Sequence, residues 1–99
     1  MRITGEQNRK QCSDGRIKKE YLLSEPFTRE TAGGMESFGS VNILDFFPKP
    51  LFTLVRKPDL NMRAVLGEST IEIWYEPDIL PVAEPKIYAL LEDNHILSD

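Results

Sequence analysis

The sequence predicts an α+β fold: a small antiparallel β-sheet meander, which could curl into a partly open barrel, with one short C-terminal helix. Residues 62–66 and 70–75 alternate apolar and polar side chains on either side of a Gly-Glu pair, as in a β-hairpin. Shorter apolar runs precede this hairpin and end at prolines. Ile87 and Leu91 then recur at helical spacing, which predicts the terminal helix.

The first 20 residues form a polar, basic head of what we expect to be a single domain of 99 residues. The head carries six basic and three acidic side chains, a net charge of +3. Only Cys12 and Ile17 are apolar between residues 4 and 20, too few to bury a face of their own. The head therefore predicts a loop, an exposed edge strand or disorder. Residues 16–24 predict a short strand.

The middle of the chain predicts one long loop and two apolar elements. Residues 25–40 contain three glycines and show neither helical nor strand periodicity, so they predict a loop. Residues 41–47 form an apolar run closed by Pro48, which predicts a strand or a single helical turn. Residues 51–55 predict a further strand, which ends at a turn over residues 57–59.

The hairpin has a register that follows from its turn. Gly67 suits the first central position of a type II′ turn. Such a turn pairs Arg63 with Glu72 and Met62 with Ile73, so opposite charges meet on one face and apolar side chains on the other. The side chains expected in the core are Met62, Ala64, Leu66, Ile71, Ile73 and Tyr75.

The C-terminal part is interrupted by prolines at positions 77, 81 and 85. They predict an extended connector over residues 77–83, because proline lacks the amide hydrogen that helices and central strands use. Glu84 and Pro85 then predict the start of a helix two or three turns long that packs on the sheet.

Trp74 is the candidate centre of a binding surface. The predicted register projects it from the polar face of the hairpin, where a large aromatic ring is costly to leave in water. Either another part of the chain covers the ring, or the ring contacts another protein, as tryptophans at binding hot spots do. The candidate protein-binding residues are Trp74, Glu72, Glu76 and Arg63.

The charge distribution favours an interaction or assembly role. Residues 68–99 carry one basic and eight acidic side chains, a net charge of −7, opposite in sign to the head. Such segregation suits attraction between head and tail within the fold, a head-to-tail contact between two copies, or a contact of each segment with a different partner. The leading hypothesis is a non-catalytic interaction or assembly protein, such as an accessory subunit, an inhibitor or a viral or mobile-element component, that acts as a homo-oligomer or on another protein.

Two alternatives remain open. The first is a small β-barrel that binds single-stranded nucleic acid, with Phe38 or Trp74 stacked on a base. The overall charge of −4 disfavours it because polyphosphate is repelled. Its candidate phosphate-binding residues are Arg9, Lys10, Arg16, Lys18 and Lys19. The second is a small-ligand enzyme that uses the 25–40 loop, for which Cys12 and His95 would be the reactive pair.

Metal and cofactor sites are not expected. One cysteine and one histidine do not make a zinc site, and Glu72 and Glu76 would lie about 13 Å apart on an extended strand at ~3.3 Å per residue. No phosphate-binding glycine motif is present. A lone cysteine and the lack of an apolar leader predict a cytoplasmic protein, and no apolar run reaches the length of a membrane span.

Overall fold

Six strands and two helices form the parts of the chain that the computed structural model describes, residues 1–45, 48–56 and 60–97, with side chains as far as Glu92. The turn expected at residues 57–59 and the end of the 41–47 run lie outside these ranges. The elements in chain order are β1 (Ile3–Gln11), β2 (Ile17–Leu23), α1 (Arg29–Gly34), β3 (Ser40–Leu44), β4 (Leu51–Arg56), β5 (Leu60–Val65), β6 (Thr70–Tyr75) and α2 (Leu80–Leu97).

The strands form one sheet in the order β1-β2-β6-β5-β4-β3, and every neighbouring pair is antiparallel. Strands β3 to β6 form a continuous meander, and the β1–β2 hairpin joins it through β6. The α+β antiparallel meander with a C-terminal helix is thus confirmed. The sheet is open rather than a barrel, because β1 and β3 pair on one side only within the described chain.

One face of the sheet carries the hydrophobic core, and both helices pack against this inner face. Alternate residues of the strands point inward, as the period of two in a pleated strand requires. The fully buried large side chains are Tyr21, Phe27, Met35, Phe52, Leu54, Met62, Ile71, Ile73, Tyr75, Ile87 and Leu91. None of the helices in the described chain is both long and apolar enough to cross a membrane.

The predicted hairpin register is confirmed. Arg63 faces Glu72, and Met62 faces Ile73. Five of the six side chains expected in the core are buried, and the sixth, Leu66, is half-buried. Alternation of apolar residues and the charged cross-strand pair specify the same register independently.

The turn within this hairpin differs from the predicted type II′ turn. Glu68 N donates to Val65 O at 3.1 Å, so Gly67 occupies the third position of the turn, with φ +92°. A positive φ at this position is what a type II turn requires, and glycine adopts it without a steric penalty. The loop also bonds to Phe27, whose backbone exchanges hydrogen bonds with Gly67 and Glu68 at 2.8 Å each. These hydrogen bonds to Phe27 therefore favour the type II turn over the predicted type II′ turn.

The basic head forms an edge strand and its partner. Strand β1 pairs with β2, and the hairpin turn includes Asp14 and Gly15. Within residues 25–40, expected to form a loop, the chain forms α1, in which Ala32 is buried. Thr28 caps this helix by accepting a hydrogen bond from Thr31 N. A helix of six residues is too short to show a periodic pattern in the sequence.

Helix α2 has 18 residues and is longer than the predicted two or three turns. It begins earlier than expected and takes up most of the 77–83 segment predicted to be an extended connector. Leu80 N donates to Glu76 O at 3.2 Å, and Ala83 N donates to Ile79 O at 2.7 Å. Pro81 lies in the first helical turn, where an amide hydrogen has no partner within the helix. The proline that interrupts the hydrogen bonding is Pro85, inside the helix.

Candidate functional site on the outer face of the sheet

The face of the sheet turned away from both helices, the outer face, carries the sequence-predicted binding residues. Along each strand its side chains alternate with those of the core. The central strands contribute Lys18, Glu20, Thr53, Val55, Asn61, Arg63, Thr70, Glu72 and Trp74. Neither helix covers this face, since both belong to the core cluster on the other side.

Trp74 is half-buried between two cations from the strands that flank β6. Lys18 Nζ lies 5.4 Å from the ring centroid, and Arg63 Cζ lies 5.3 Å from it. Both cations also bind Glu72: Lys18 Nζ lies 2.6 Å from Oε2, and Arg63 Nη2 lies 2.7 Å from Oε1. Lys18, Arg63, Glu72 and Trp74, the tryptophan cluster, thus join three neighbouring strands.

Charge pairing holds this cluster in one arrangement. Burial alone would raise the pKa of Glu72, but the hydrogen bonds from Lys18 and Arg63 outweigh it and lower the pKa below its ordinary value of 4.5. Glu72 therefore remains ionised at neutral pH and keeps both cations beside the ring. Side chains ordered before binding lose less entropy when a partner arrives, which is a property of efficient binding surfaces.

The structure brings together three of the four predicted protein-binding residues. Trp74, Glu72 and Arg63 belong to the cluster, whereas Glu76 follows the end of β6 and is exposed. The alternative that the head covers the ring is found in part, because Lys18 belongs to the head and its Nζ lies over the half-buried ring. Strand β1 lies beyond β2, and most of the connector is in α2, on the inner side.

Two recesses extend this surface. An apolar recess of about 370 Å³ is lined by Pro48, Lys49, Leu51 and Val65, and Leu51 faces Val65 across β4 and β5. A polar recess of about 200 Å³ lies beside it. The residues lining the polar recess include Glu20, Arg63, Glu68, Thr70 and Glu72. An apolar site and a polar site thus lie next to each other on the outer face.

The five candidate phosphate-binding residues do not form one stripe. Lys18 is on the outer face and is paired with Glu72, but Lys19 points to the inner face and is 5% exposed. Arg16 Nε donates to Asp14 Oδ2 at 2.8 Å. Arg9 and Lys10 are exposed on β1, the outermost strand.

A second polar cluster, which the sequence analysis missed, lies between the sheet and α2. Lys19 Nζ donates to Glu84 Oε2 at 2.7 Å and lies 3.1 Å from Glu6 Oε1. Tyr21 Oη donates to the same Glu84 oxygen at 2.6 Å and is hydrogen-bonded to Tyr75 Oη at 2.8 Å. We call these five residues the lysine–tyrosine cluster.

The lysine–tyrosine cluster holds its protons tightly. Burial, together with the hydrogen bond to Glu84, raises the pKa of the Tyr21 hydroxyl far above its ordinary value of 10.0. Burial opposes the charged form of Lys19, but the hydrogen bonds to Glu84 and Glu6 outweigh it and raise the lysine pKa. The arrangement therefore ties α2 to the sheet through hydrogen bonds between charged and polar side chains.

The remaining chemical candidates fall outside both clusters. Cys12 is half-buried next to the turn between β1 and β2. The side chain of His95 lies outside the described residues, so the proposed pairing with Cys12 stays a prediction. The side chains described as far as Glu92 include no group of three or more that would hold a metal ion.

Comparison with known protein families, with curated proteins and with solved structures gives no match to this chain.

Proposed function

We propose that this protein is a non-catalytic interaction module that binds another protein through the outer face of its sheet. The observation that carries the proposal is the tryptophan cluster, an aromatic ring held between two cations on a sheet face that neither helix covers. Tryptophan and arginine are the residues most enriched at binding hot spots. We place the module in the cytoplasm, where a lone thiol such as Cys12 stays reduced.

The recesses beside Trp74 indicate the chemistry of the partner. The Pro48–Leu51–Val65 wall accepts an apolar side chain, and the adjoining polar recess carries more acidic than basic side chains. A partner that presents an apolar anchor beside a basic or hydrogen-bond-donating group would match both. The two longer dimensions of the molecule are 35 and 30 Å, which leave room for the ~800 Å² that each partner contributes to a standard interface.

Replacement of Trp74 by alanine tests this function. We expect affinity for the partner to fall at least about tenfold, because truncation of a hot-spot tryptophan costs about 2 kcal/mol or more. The free energy of unfolding should change by no more than about 1 kcal/mol, since the ring is only half-buried. The wild-type protein is used to isolate a partner from its source cells, and the purified partner is then titrated by calorimetry.

Val82→Ala is the matched control, because Val82 is an exposed apolar residue of α2, 60% exposed, far from the outer face. Equal affinity of the Trp74→Ala variant and the wild type would contradict the proposal, as would equal losses in both variants. Tight, salt-sensitive binding of a single-stranded oligonucleotide that Arg9→Gln weakens would support nucleic-acid binding instead.

A further inference from the structure

The two edges of the sheet are protected very differently. Strand β1 carries Glu6, Arg9 and Lys10, its register with β2 breaks twice, and Asn8 has φ +54°. Charges and irregularities of this kind prevent an edge from pairing with another strand. The other edge, β3 (Ser40–Leu44), has no charged side chain and pairs with β4 in an unbroken register. Its outward backbone groups form a regular template for a further strand.

Strand β3 is held firmly on β4. A Cβ atom at Gly39 would lie 2.8 Å from Leu54 Cδ2 and 2.9 Å from Val55 O, closer than side chains tolerate. Strands β3 and β4 therefore approach each other closely where β3 begins. Val41 and Ile43 pack against the core and fix the inner side of the strand. The free edge is thus presented in one extended conformation.

We propose that β3 pairs with β3 of a second copy of this chain about a two-fold axis, which joins two six-stranded sheets into one. This surface is distinct from the outer-face site, so the inference does not depend on the proposed function. An antiparallel register centred on Asn42 places Asn42 opposite its own copy and Val41 opposite Ile43. Apolar pairs then meet on the inner face and two neutral amides meet on the outer face, so no like charges oppose each other.

Charges at the ends of the strand complement each other in this register. Continuing the β3–β4 pairing places Arg56 opposite Gly39, and continuing the β3–β3 pairing places Asp45 of the second copy on the other side of Gly39. Arg56 lies over the Phe38 ring at 4.5 Å and has no carboxylate partner within the described residues. Asp45 binds Arg29 of its own chain, but 60% of its side chain remains exposed and can face a second cation. Gly39 places no side chain between Arg56 and Asp45 of the second copy. The two-fold axis produces the same pair of opposite charges at the other end of the contact.

The dimer should depend on concentration. A five-residue edge forms an interface at the small end of the range for specific complexes, for which dissociation constants in the micromolar range are typical. We therefore expect mainly dimer at about 100 μM and mainly monomer at about 1 μM.

The test uses Asn42→Lys and Asn42→Asp, two variants of an exposed position. Each variant alone places like charges directly opposite each other, which should raise the dimer dissociation constant at least about tenfold. An equimolar mixture places lysine opposite aspartate and should restore a heterodimer, which native mass spectrometry identifies by its mass. Restoration by mixing excludes loss of the fold as the cause. Gln7→Lys and Gln7→Asp, on the β1 edge, are the controls and should dimerise as the wild type does.

Two results would overturn the inference. The first is a wild-type protein that sedimentation velocity finds monomeric at about 100 μM. The second is a wild-type dimer that neither Asn42 variant weakens, which would place the contact between copies on another surface. Loss of dimerisation in the Asn42 variants with unchanged partner binding would separate this edge from the outer-face site.

Discussion

Glu84 links α2 to two residues of strand β2. One of its oxygens accepts hydrogen bonds from both Lys19 and Tyr21. Replacing this carboxylate with an amide removes the negative charge that faces a lysine only 5% exposed. Glu6 is the other carboxylate near Lys19. Its side chain is 35% exposed, so it compensates the positive charge of Lys19 less well than Glu84 does.

We therefore expect Glu84→Gln to lower the free energy of unfolding by about 2 kcal/mol, because a buried charge loses its closest partner. Urea unfolding at neutral pH measures this change. Glu92→Gln is the control, since Glu92 is an exposed residue of the same helix. Equal stability of the two variants would show that α2 is held by its apolar contacts alone.

Sequence reasoning found the tryptophan cluster more completely than the lysine–tyrosine cluster. Arg63, Glu72 and Trp74 lie within one hairpin, so a local register brings them together. Lys19 and Glu84 are 65 positions apart, and no local pattern connects them. The available signal was the strand period, which places Lys19 on the same face as the apolar Tyr21 and so indicates a buried lysine in need of a partner.

At the level of elements, the prolines of α2 have different effects. Pro81 occupies the first turn, where its missing amide hydrogen has no helical partner. Pro85 lies further inside and leaves the carbonyl of Pro81 without its usual hydrogen bond. A proline in a helix interior is ~3 kcal/mol less favourable than alanine, although its restriction of the unfolded chain offsets part of this.

We expect Pro85→Ala to raise the free energy of unfolding by about 1–2 kcal/mol. Pro81→Ala should leave it unchanged or lower it slightly, because the first-turn proline is already compatible with the helix. Thermal unfolding followed by circular dichroism compares the two variants. A Pro85→Ala variant no more stable than Pro81→Ala would indicate that contacts outside the helix already satisfy the Pro81 carbonyl.

The strands at residues 16–24, 51–55 and in the β5–β6 hairpin were predictable from apolar or alternating patterns, whereas the short helix α1 was not. The β5–β6 hairpin combines alternation with a charged cross-strand pair, and its register is as predicted. Helix α1 has six residues and Thr28 as its cap, a signal too weak to stand out within a glycine-containing segment. Residues 77–83 were misassigned because proline opposes a helix interior but not its first turn.

For the whole molecule, two lowered carboxyl pKa values predict sensitivity to acid. For both Glu72 and Glu84, burial opposes ionisation but hydrogen bonds from neighbouring side chains outweigh it, so each pKa lies below 4.5 in the folded protein. A carboxyl of this kind stabilises the fold above its unfolded pKa, and the contribution is lost as the pH falls through the folded value.

The free energy of unfolding should therefore decrease as the pH falls below 4.5. Urea unfolding at a series of acidic pH values measures the slope. A variant that combines Glu72→Gln with Glu84→Gln should show a shallower slope, because neither amide titrates. An identical slope in this variant would assign the acid sensitivity to other carboxylates.

The fold class was predictable at this scale because several short apolar strands without intervening helices favour an antiparallel sheet. The order of the strands was not. Strand β2 pairs with β6, which lies far from it in the sequence. A local sequence pattern does not indicate which distant strand will be the neighbour. Which strands form the two edges follows from that pairing.

The β2–β6 pairing also determines when the protein can fold during its synthesis. The β1–β2 hairpin contains only local contacts and is complete once the first part of the chain has left the ribosome. The inner side of this hairpin includes Tyr21 and Lys19. It lacks its packing partners until β6 and then α2 emerge. Until both β6 and α2 have been made, the nascent chain therefore exposes the inner side of β2.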